Sequence, residues 1–348
     1  MDSMMEHSIK TDCYACYNLN LGERMKSSSG GIYPLLARTT ISNGGIVFAV
    51  CYDDNLDVVH KKITSLSEIP ASQGSKYVSS KLGDTLKAIV DAAKDGQVLF
   101  VGTPCQCAGL ISVLEASKVN RENVTIVDCV CHGVQSRVAW NLYRQSLVRS
   151  NKTLQSVNMR DKSSGWSKGN YSWMETMTDG RTIITPRREV PFMKGMLANI
   201  YLRSLCYNCC FKGVERRTDF TLGDYWGVWN HDPDMDDDRG TSLLLVHSDK
   251  GRKILKGLEG QFKFKLIDAD DAIQGNSCIV RSTPCSNKRE EFFRRIEKDE
   301  DFIAVVDDLT KESLFIRSKR TMKRIVKKLS GGGISNPYTL NPSVGVAA

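Results

Sequence analysis

The sequence predicts an α/β protein: a mixed, largely parallel sheet flanked by helices, a more antiparallel α+β second half, and a C-terminal helix. Three observations predict this. Continuous apolar runs of strand length alternate with amphipathic segments through the first 150 residues, the pattern of a parallel sheet covered on both faces. Residues 171–185 instead alternate with period two, as antiparallel strands with one solvated face do. The composition, 41% hydrophobic and 25% charged, is that of an ordinary globular chain and excludes collagen, coiled coil and wholesale disorder.

The elements follow in order. Residues 1–31 are polar and close on Lys26-Ser27-Ser28-Ser29-Gly30-Gly31. Residues 32–40 read as a helix, and 45–52 (GIVFAVCY) as a buried strand from its β-branched and aromatic content. Residues 79–93 place Leu82, Leu86, Ile89 and Val90 at helical spacing. Residues 98–101 and 124–127 are apolar strands joined by a helix at 108–116, with Leu110, Ile111 and Leu114 on one stripe. Ser136 caps a helix running to 148. Beyond it, 171–178 and 181–185 read as antiparallel strands, 192–203 as a helix, 241–247 as a buried strand, and 287–308 as one long charged helix. The chain thus divides into an α/β half (1–150), a second half (151–310) and a basic helix with a tail (311–348).

The net charge of +8 is concentrated in residues 311–330, which carry eight bases against one acid. The body is close to neutral, so a nucleic-acid-binding role is excluded for it. In that segment Leu314, Phe315, Met322, Ile325, Val326 and Leu329 alternate with the bases. Such a helix either packs on the body or makes weak peripheral contact with an anionic membrane surface. No apolar run reaches the roughly 18 residues of a membrane span, and the first residues lack a signal-peptide core. The expected location is cytoplasmic.

Twelve cysteines are then the informative feature. Disulfides are rare in the cytosol, and seven of the twelve fall in three knots: Cys105-Gln-Cys107, Cys129-Val-Cys131 and Cys206-Tyr-Asn-Cys209-Cys210. The strands at 98–101 and 124–127, joined by one helix, should run parallel and end at the same sheet edge, where open α/β sheets bind ligands. Topology therefore brings two thiol pairs together, and Cys206 with Cys209 can complete a four-thiolate site. Spacing alone leaves zinc and an iron–sulfur cluster both open. Cys51, Cys278 and Cys285 read as small core residues.

Three further motifs suit a phosphate-bearing cofactor at that edge. The Ser27–Gly31 loop precedes a helix; Gly74-Ser75-Lys76-Tyr77 adds a cation and an aromatic; Gly102-Thr103-Pro104 adds a hydroxyl at a strand end. Cys131 and His132 are neighbours on the chain, so they point apart and do not form a nucleophilic dyad. The Trp226/Trp229 stretch reads as core rather than a stacking platform.

These motifs, with Arg160-Asp161-Lys162, Gly165-Trp166, Phe211-Lys212-Gly213 and residues 219–227, occur in one order that resembles the coenzyme F420 hydrogenase/dehydrogenase beta-subunit family. The resemblance runs over residues 10–310. It implies an iron–sulfur flavoprotein oxidoreductase with FAD and a 4Fe-4S cluster. It implies Cys105, Cys131, Cys206 and Cys209 as cluster ligands, and Ser27, Ser28, Ser29, Gly30, Gly31, Gly74, Ser75, Lys76, Tyr77 and Thr103 around FAD. Electrons would pass between a small hydride carrier (F420, NAD(P)H or a flavin) and a one-electron carrier. Only Cys13 and Cys16 precede the Ser/Gly loop, too few for an internal ferredoxin-like module, so a separate ferredoxin or partner subunit is implied. The alternatives are a flavin-dependent reductase of surface-polysaccharide biosynthesis and a zinc-stabilised module without redox function.

Overall fold

The computed structural model describes residues 11–311. Eleven strands form two sheets among these residues: β1 Asp12–Asn18, β2 Ile46–Tyr52, β3 Val58–Ile63, β4 Val98–Gly102, β5 Val124–Cys129, β6 Leu154–Asp161, β7 Ser172–Met177, β8 Thr182–Pro186, β9 Phe220–Asp224, β10 Ser242–Val246 and β11 Phe262–Ile267. Eight of them make one mixed sheet in the order β11-β1-β10-β9-β5-β4-β2-β3. Its centre, β9-β5-β4-β2, is parallel; β3 on one margin and β10, β1 and β11 on the other pair antiparallel. The remaining three, β6-β7-β8, form a separate antiparallel sheet. Strands from both halves of the chain build the large sheet, so it spans the boundary drawn at residue 150.

The parallel strands are largely apolar because both faces are covered. Leu99 and Val127 pack with Leu35, Leu36 and Leu244 on one face; their neighbours Phe100 and Ile126 pack with Ile89, Leu110 and Leu114 on the other. Helix Ile32–Ser42 lies on the first face, and helices Thr85–Asp95 and Pro104–Ala116 on the second. A further core, rich in aromatics, joins helix Arg137–Arg149 to the small sheet through Trp140, Tyr143, Trp173 and Phe192.

Several boundaries differ from the sequence-based expectation, each for a tertiary reason. The helix expected from 79 begins at Thr85, because Ser79 N donates to Gln135 O and Lys81 N to Val58 O, holding that stretch extended. The helix expected from 108 begins at Pro104: Thr103 forms a capping box with Gln106, and proline suits the first helical position. Cys105 and Cys107 are therefore in a helix's first turn, not in a loop. The helix expected to reach 203 stops at Leu197; Asn199 turns left-handed at φ 56°, and Leu202 runs back to bridge Gln135. The long charged helix is two, Arg289–Ile296 and Phe302–Thr310, broken at Asp299 with φ 58°. The polar first 31 residues contain an unexpected interior strand, β1, between β10 and β11. The basic segment after residue 311 lies outside the described residues.

Candidate functional site

The carboxyl ends of β4 and β5 carry the cysteines, as parallel pairing of Gly102 with Asp128 requires. Cys105 is exposed on the first turn of its helix, and its Sγ lies 3.2 Å from Thr103 Oγ1. Cys131 follows β5. Its thiol is pushed up to about 12, chiefly by burial, with the Gly133 N–H and Lys212 opposing and the thiols of Cys206 and Cys105 adding to the shift. Burial also raises the Cys206 thiol, with Cys105 and Cys209 adding to the shift. Cys105, Cys131, Cys206 and Cys209 thus share one electrostatic neighbourhood although they come from three distant segments.

Backbone packing draws the segments together. A Cβ placed on Gly133 would stand 3.2 Å from the Cys206 Cβ, and Gly133 has φ 132°, so glycine lets the two chains approach. Lys212 Nζ donates to Cys131 O and Cys278 O, both at 2.8 Å, which sets a cation behind the thiols. Among the described residues, no three His, Cys, Asp or Glu side chains converge closely enough to grip one metal ion.

The other cysteines divide clearly. Cys13, Cys16, Cys51 and Cys107 are buried core residues, and Cys107 Sγ faces Val127 O. Cys129 adjoins the site: burial raises its thiol well above the ordinary range, with Cys131 and Cys105 among its charged neighbours. Cys210 and Cys285 are exposed and Cys278 is half-buried. The core expectation therefore holds for Cys51 and fails for Cys285, which is exposed on irregular chain. His132 pairs with Asn199 Oδ1 at 2.8 Å. Trp226 stacks on the buried Trp166, ring centroids 4.9 Å apart.

The Ser/Gly loop is committed mostly to the scaffold. Ser27 Oγ donates to Glu23 O and accepts from Gln73; Ser29 Oγ donates to Thr241 O. Gly30 is required by close packing, since a Cβ there would lie 2.4 Å from Cys16 O, and Gly31 turns at φ 80° into the helix. The buried Lys162 ammonium donates to the carbonyls of Arg24, Ser29 and Arg239, tying the loop down. Ser28 alone reaches outward: its Oγ accepts from Ser75 N at 2.6 Å and meets Ser75 Oγ at 2.8 Å. Thr103 sits away from this loop, holding Cys105 and Gln106.

Ser75 opens onto a cleft of about 280 Å³ lined by Lys26, Tyr52, Gly74, Ser75, Lys76 and Asn158, among others. Lys76 Nζ donates to two backbone carbonyls, Gln73 O and Gly74 O, and burial lowers it to about 8. Tyr77, next in sequence, has its hydroxyl bonded to Arg160, which also forms a bidentate pair with Asp224 at the end of β9. The cleft and the cysteines are linked by one stretch of chain: Ser80 Oγ accepts from Gln106 Nε2, one residue beyond Cys105.

Two residues were missed by sequence reasoning. The Tyr52 hydroxyl is buried at the cleft wall without a hydrogen-bond partner, and the buried Gln135 amide lacks one at either end. Burying an unpaired polar group costs roughly 1–3 kcal/mol, so each marks a place where a partner is wanted. No sequence signal distinguishes such a tyrosine from its neighbours in an apolar strand.

The family model for the C terminus of the coenzyme F420 hydrogenase/dehydrogenase beta subunit matches residues 95–272, just over half of the sequence. The chain belongs to the coenzyme F420 hydrogenase/dehydrogenase beta-subunit family. It is also similar to a chain in a xenon-derivatised F420-reducing NiFe hydrogenase complex from Methanosarcina barkeri: 16% identity over 94% of this chain and 96% of that one, TM-score 0.50. At that identity the likeness concerns the fold alone. A comparison with curated proteins returned no match. No helix among the described residues is long and apolar enough to cross a membrane.

Proposed function

We propose that this protein is an FAD- and 4Fe-4S-dependent oxidoreductase, working in the cytoplasm. It moves electrons between a hydride carrier (F420, NAD(P)H or a flavin) and a one-electron carrier such as ferredoxin. The observation that supports the reading is the shared neighbourhood of Cys105, Cys131, Cys206 and Cys209 at the carboxyl edge of β4 and β5.

The donor set suits the cluster. Thiolates are the usual ligands of iron–sulfur clusters. A single tetrahedral zinc draws its sulfurs to within about 4 Å of one another, whereas a cluster spreads its ligands over several irons. Thiols that share a neighbourhood without converging on one point fit the second case. The raised thiols of Cys131 and Cys206 must lose protons on loading, which Lys212 favours at Cys131 and Arg203 at Cys206.

The cleft suits the phosphates of FAD. Lys76 retains donor capacity beyond its two carbonyl partners, Lys26 adds a second cation, and Ser28, Ser75 and Tyr52 add hydroxyls. Ser27, Ser29, Gly30 and Gly31 shape the loop behind them, Gly74 and Tyr77 fix the cleft wall, and Thr103 positions Cys105. When bound, FAD accepts two electrons as a hydride while a cluster passes them singly. The chain's part is to hold the phosphates, cover the ring and keep water from the space between Ser80 and Cys105.

Stopped-flow reduction of the reconstituted protein with reduced F420, NADH, NADPH and reduced ferredoxin tests the reading. Flavin bleaching by at least one donor is expected. Failure of all four in a protein that binds flavin would remove the catalytic role.

A further inference from the structure

The lip of the cysteine pocket consists of two segments that lie side by side. Cys209 N donates to Ser282 Oγ at 2.9 Å, and Gly213 N donates to Ile279 O at 2.8 Å. Thr283 Oγ1 donates to His132 O, closing the second segment over the chain that follows Cys131. Three large apolar side chains on this lip face solvent: Leu205 at 75% exposure, Phe211 at 39% and Val280 at 38%. Leu205 and Phe211 bracket Cys206, Cys209 and Cys210 in sequence, so whatever covers them stands over the thiols.

The lip is also cationic. Residues 203–217 and 277–289 hold seven Lys and Arg against one acid, Glu215. Outside them and the basic 311–330 stretch, acids outnumber bases. Arg216 and Arg217 are paired with Asp128 and Glu115. Arg203 and Arg281 are exposed and in no ion pair among the described residues; Arg203 reaches only Ser79 Oγ, at 3.4 Å. An apolar centre with unpaired like charges around it is the anatomy of a steered protein–protein contact.

We infer that this lip docks an acidic one-electron carrier protein, Arg203 and Arg281 drawing it in and Leu205 and Phe211 forming the dry contact. The inference rests on the redox reading above, because it is the thiol site that the partner would cover. Charge complementarity chooses an acidic partner, and the position over Cys206 and Cys209 chooses an electron carrier over a lipid surface.

The test is a binding titration of the full reconstituted chain with an oxidised, acidic two-cluster bacterial ferredoxin at 25 and 300 mM salt. Wild type should bind at 25 mM and weaken steeply at 300 mM, where exposed charges are screened within a few ångströms. Arg203→Glu with Arg281→Glu should weaken binding at least tenfold at low salt and flatten the salt dependence. Leu205→Ser should weaken it severalfold at both salts. Unchanged thermal midpoints and flavin content show that the variants are folded. Equal binding by wild type and variants overturns the inference, as does no binding by wild type. Co-sedimentation with phosphatidylserine vesicles, lost in the same variants while ferredoxin binds equally to all, overturns it in favour of a membrane. Binding is read without the cluster, so a chain that docks ferredoxin through these residues but holds no iron supports the surface and contradicts the proposed function.

Discussion

The cysteine edge and the Ser/Gly loop look alike in sequence, as two clusters of small residues beside a helix start, but the structure treats them oppositely. At the loop nearly every polar group is satisfied within the chain, and its glycines answer to packing against Cys16 and Arg24. At the edge, four thiols from three segments are gathered, those of Cys131 and Cys206 raised by burial, with no shared protein partner among the described residues. A folded chain does not collect such groups without a use for them. The difference sets the loop apart as scaffold, with Ser28 bonded to Ser75, and makes the edge the proposed reactive part.

Substitution should expose that contrast most sharply at the thiols. Changing Cys105, Cys131, Cys206 or Cys209 to Ser is expected to abolish the cluster, measured as iron content and as the paramagnetic-resonance signal of the reduced protein. Cys278→Ser, half-buried beside Lys212, should keep it. A cluster that survives all four single changes would break the comparison at once.

The loop should fail by unfolding instead. Gly30→Ala forces a Cβ to within 2.4 Å of Cys16 O and is expected to cost about 3 kcal/mol in urea denaturation, whether or not flavin is present. Gly74→Ala meets nothing nearer than Asn158 Oδ1 at 3.8 Å and should cost about 1 kcal/mol, from its left-handed φ of 78° alone.

A smaller effect separates ligand binding from stability in the cleft. Tyr52→Phe removes a hydroxyl that has no partner among the described residues, so thermal stability should hold or rise. Flavin affinity should fall roughly tenfold, as for one lost hydrogen bond to a charged group. Equal flavin affinity in the two proteins would take Tyr52 out of the site.

The smallest effect is on pH. Burial lowers Lys76 to about 8, so it is charged below that pH and neutral above it. Phosphate binding favours the charged form. Flavin affinity should therefore decline as pH rises from 7 to 9, and Lys76→Met should flatten the profile. The same shift makes the lysine's burial a cost to stability that is full below pH 8 and vanishes as pH rises to the ordinary lysine value.

Much of this was legible in the sequence. The apolar runs at 98–101 and 124–127 located adjacent parallel strands, and the rule that such strands end together located the thiols. Ser136 marked its helix correctly, accepting from Ala139 N. What escaped depended on contacts distant in sequence. β1 mixes cysteine, tyrosine and asparagine and gains its place only by pairing with β10 and β11. The stretch 79–84 has helical periodicity yet is held extended by Gln135 and Val58. Asp299 ends a helix through its backbone angle, which charge patterning does not signal. Tyr52 stands out only as a hydroxyl left over once its surroundings are assembled.

The central claim is tested most directly by metal and flavin analysis of the protein purified without oxygen and reconstituted with iron, sulfide and FAD. The account predicts a brown protein with about four irons and one FAD per chain, and a cluster signal that appears on reduction. One zinc per chain, bound by the same cysteines, with no retained flavin, would contradict it.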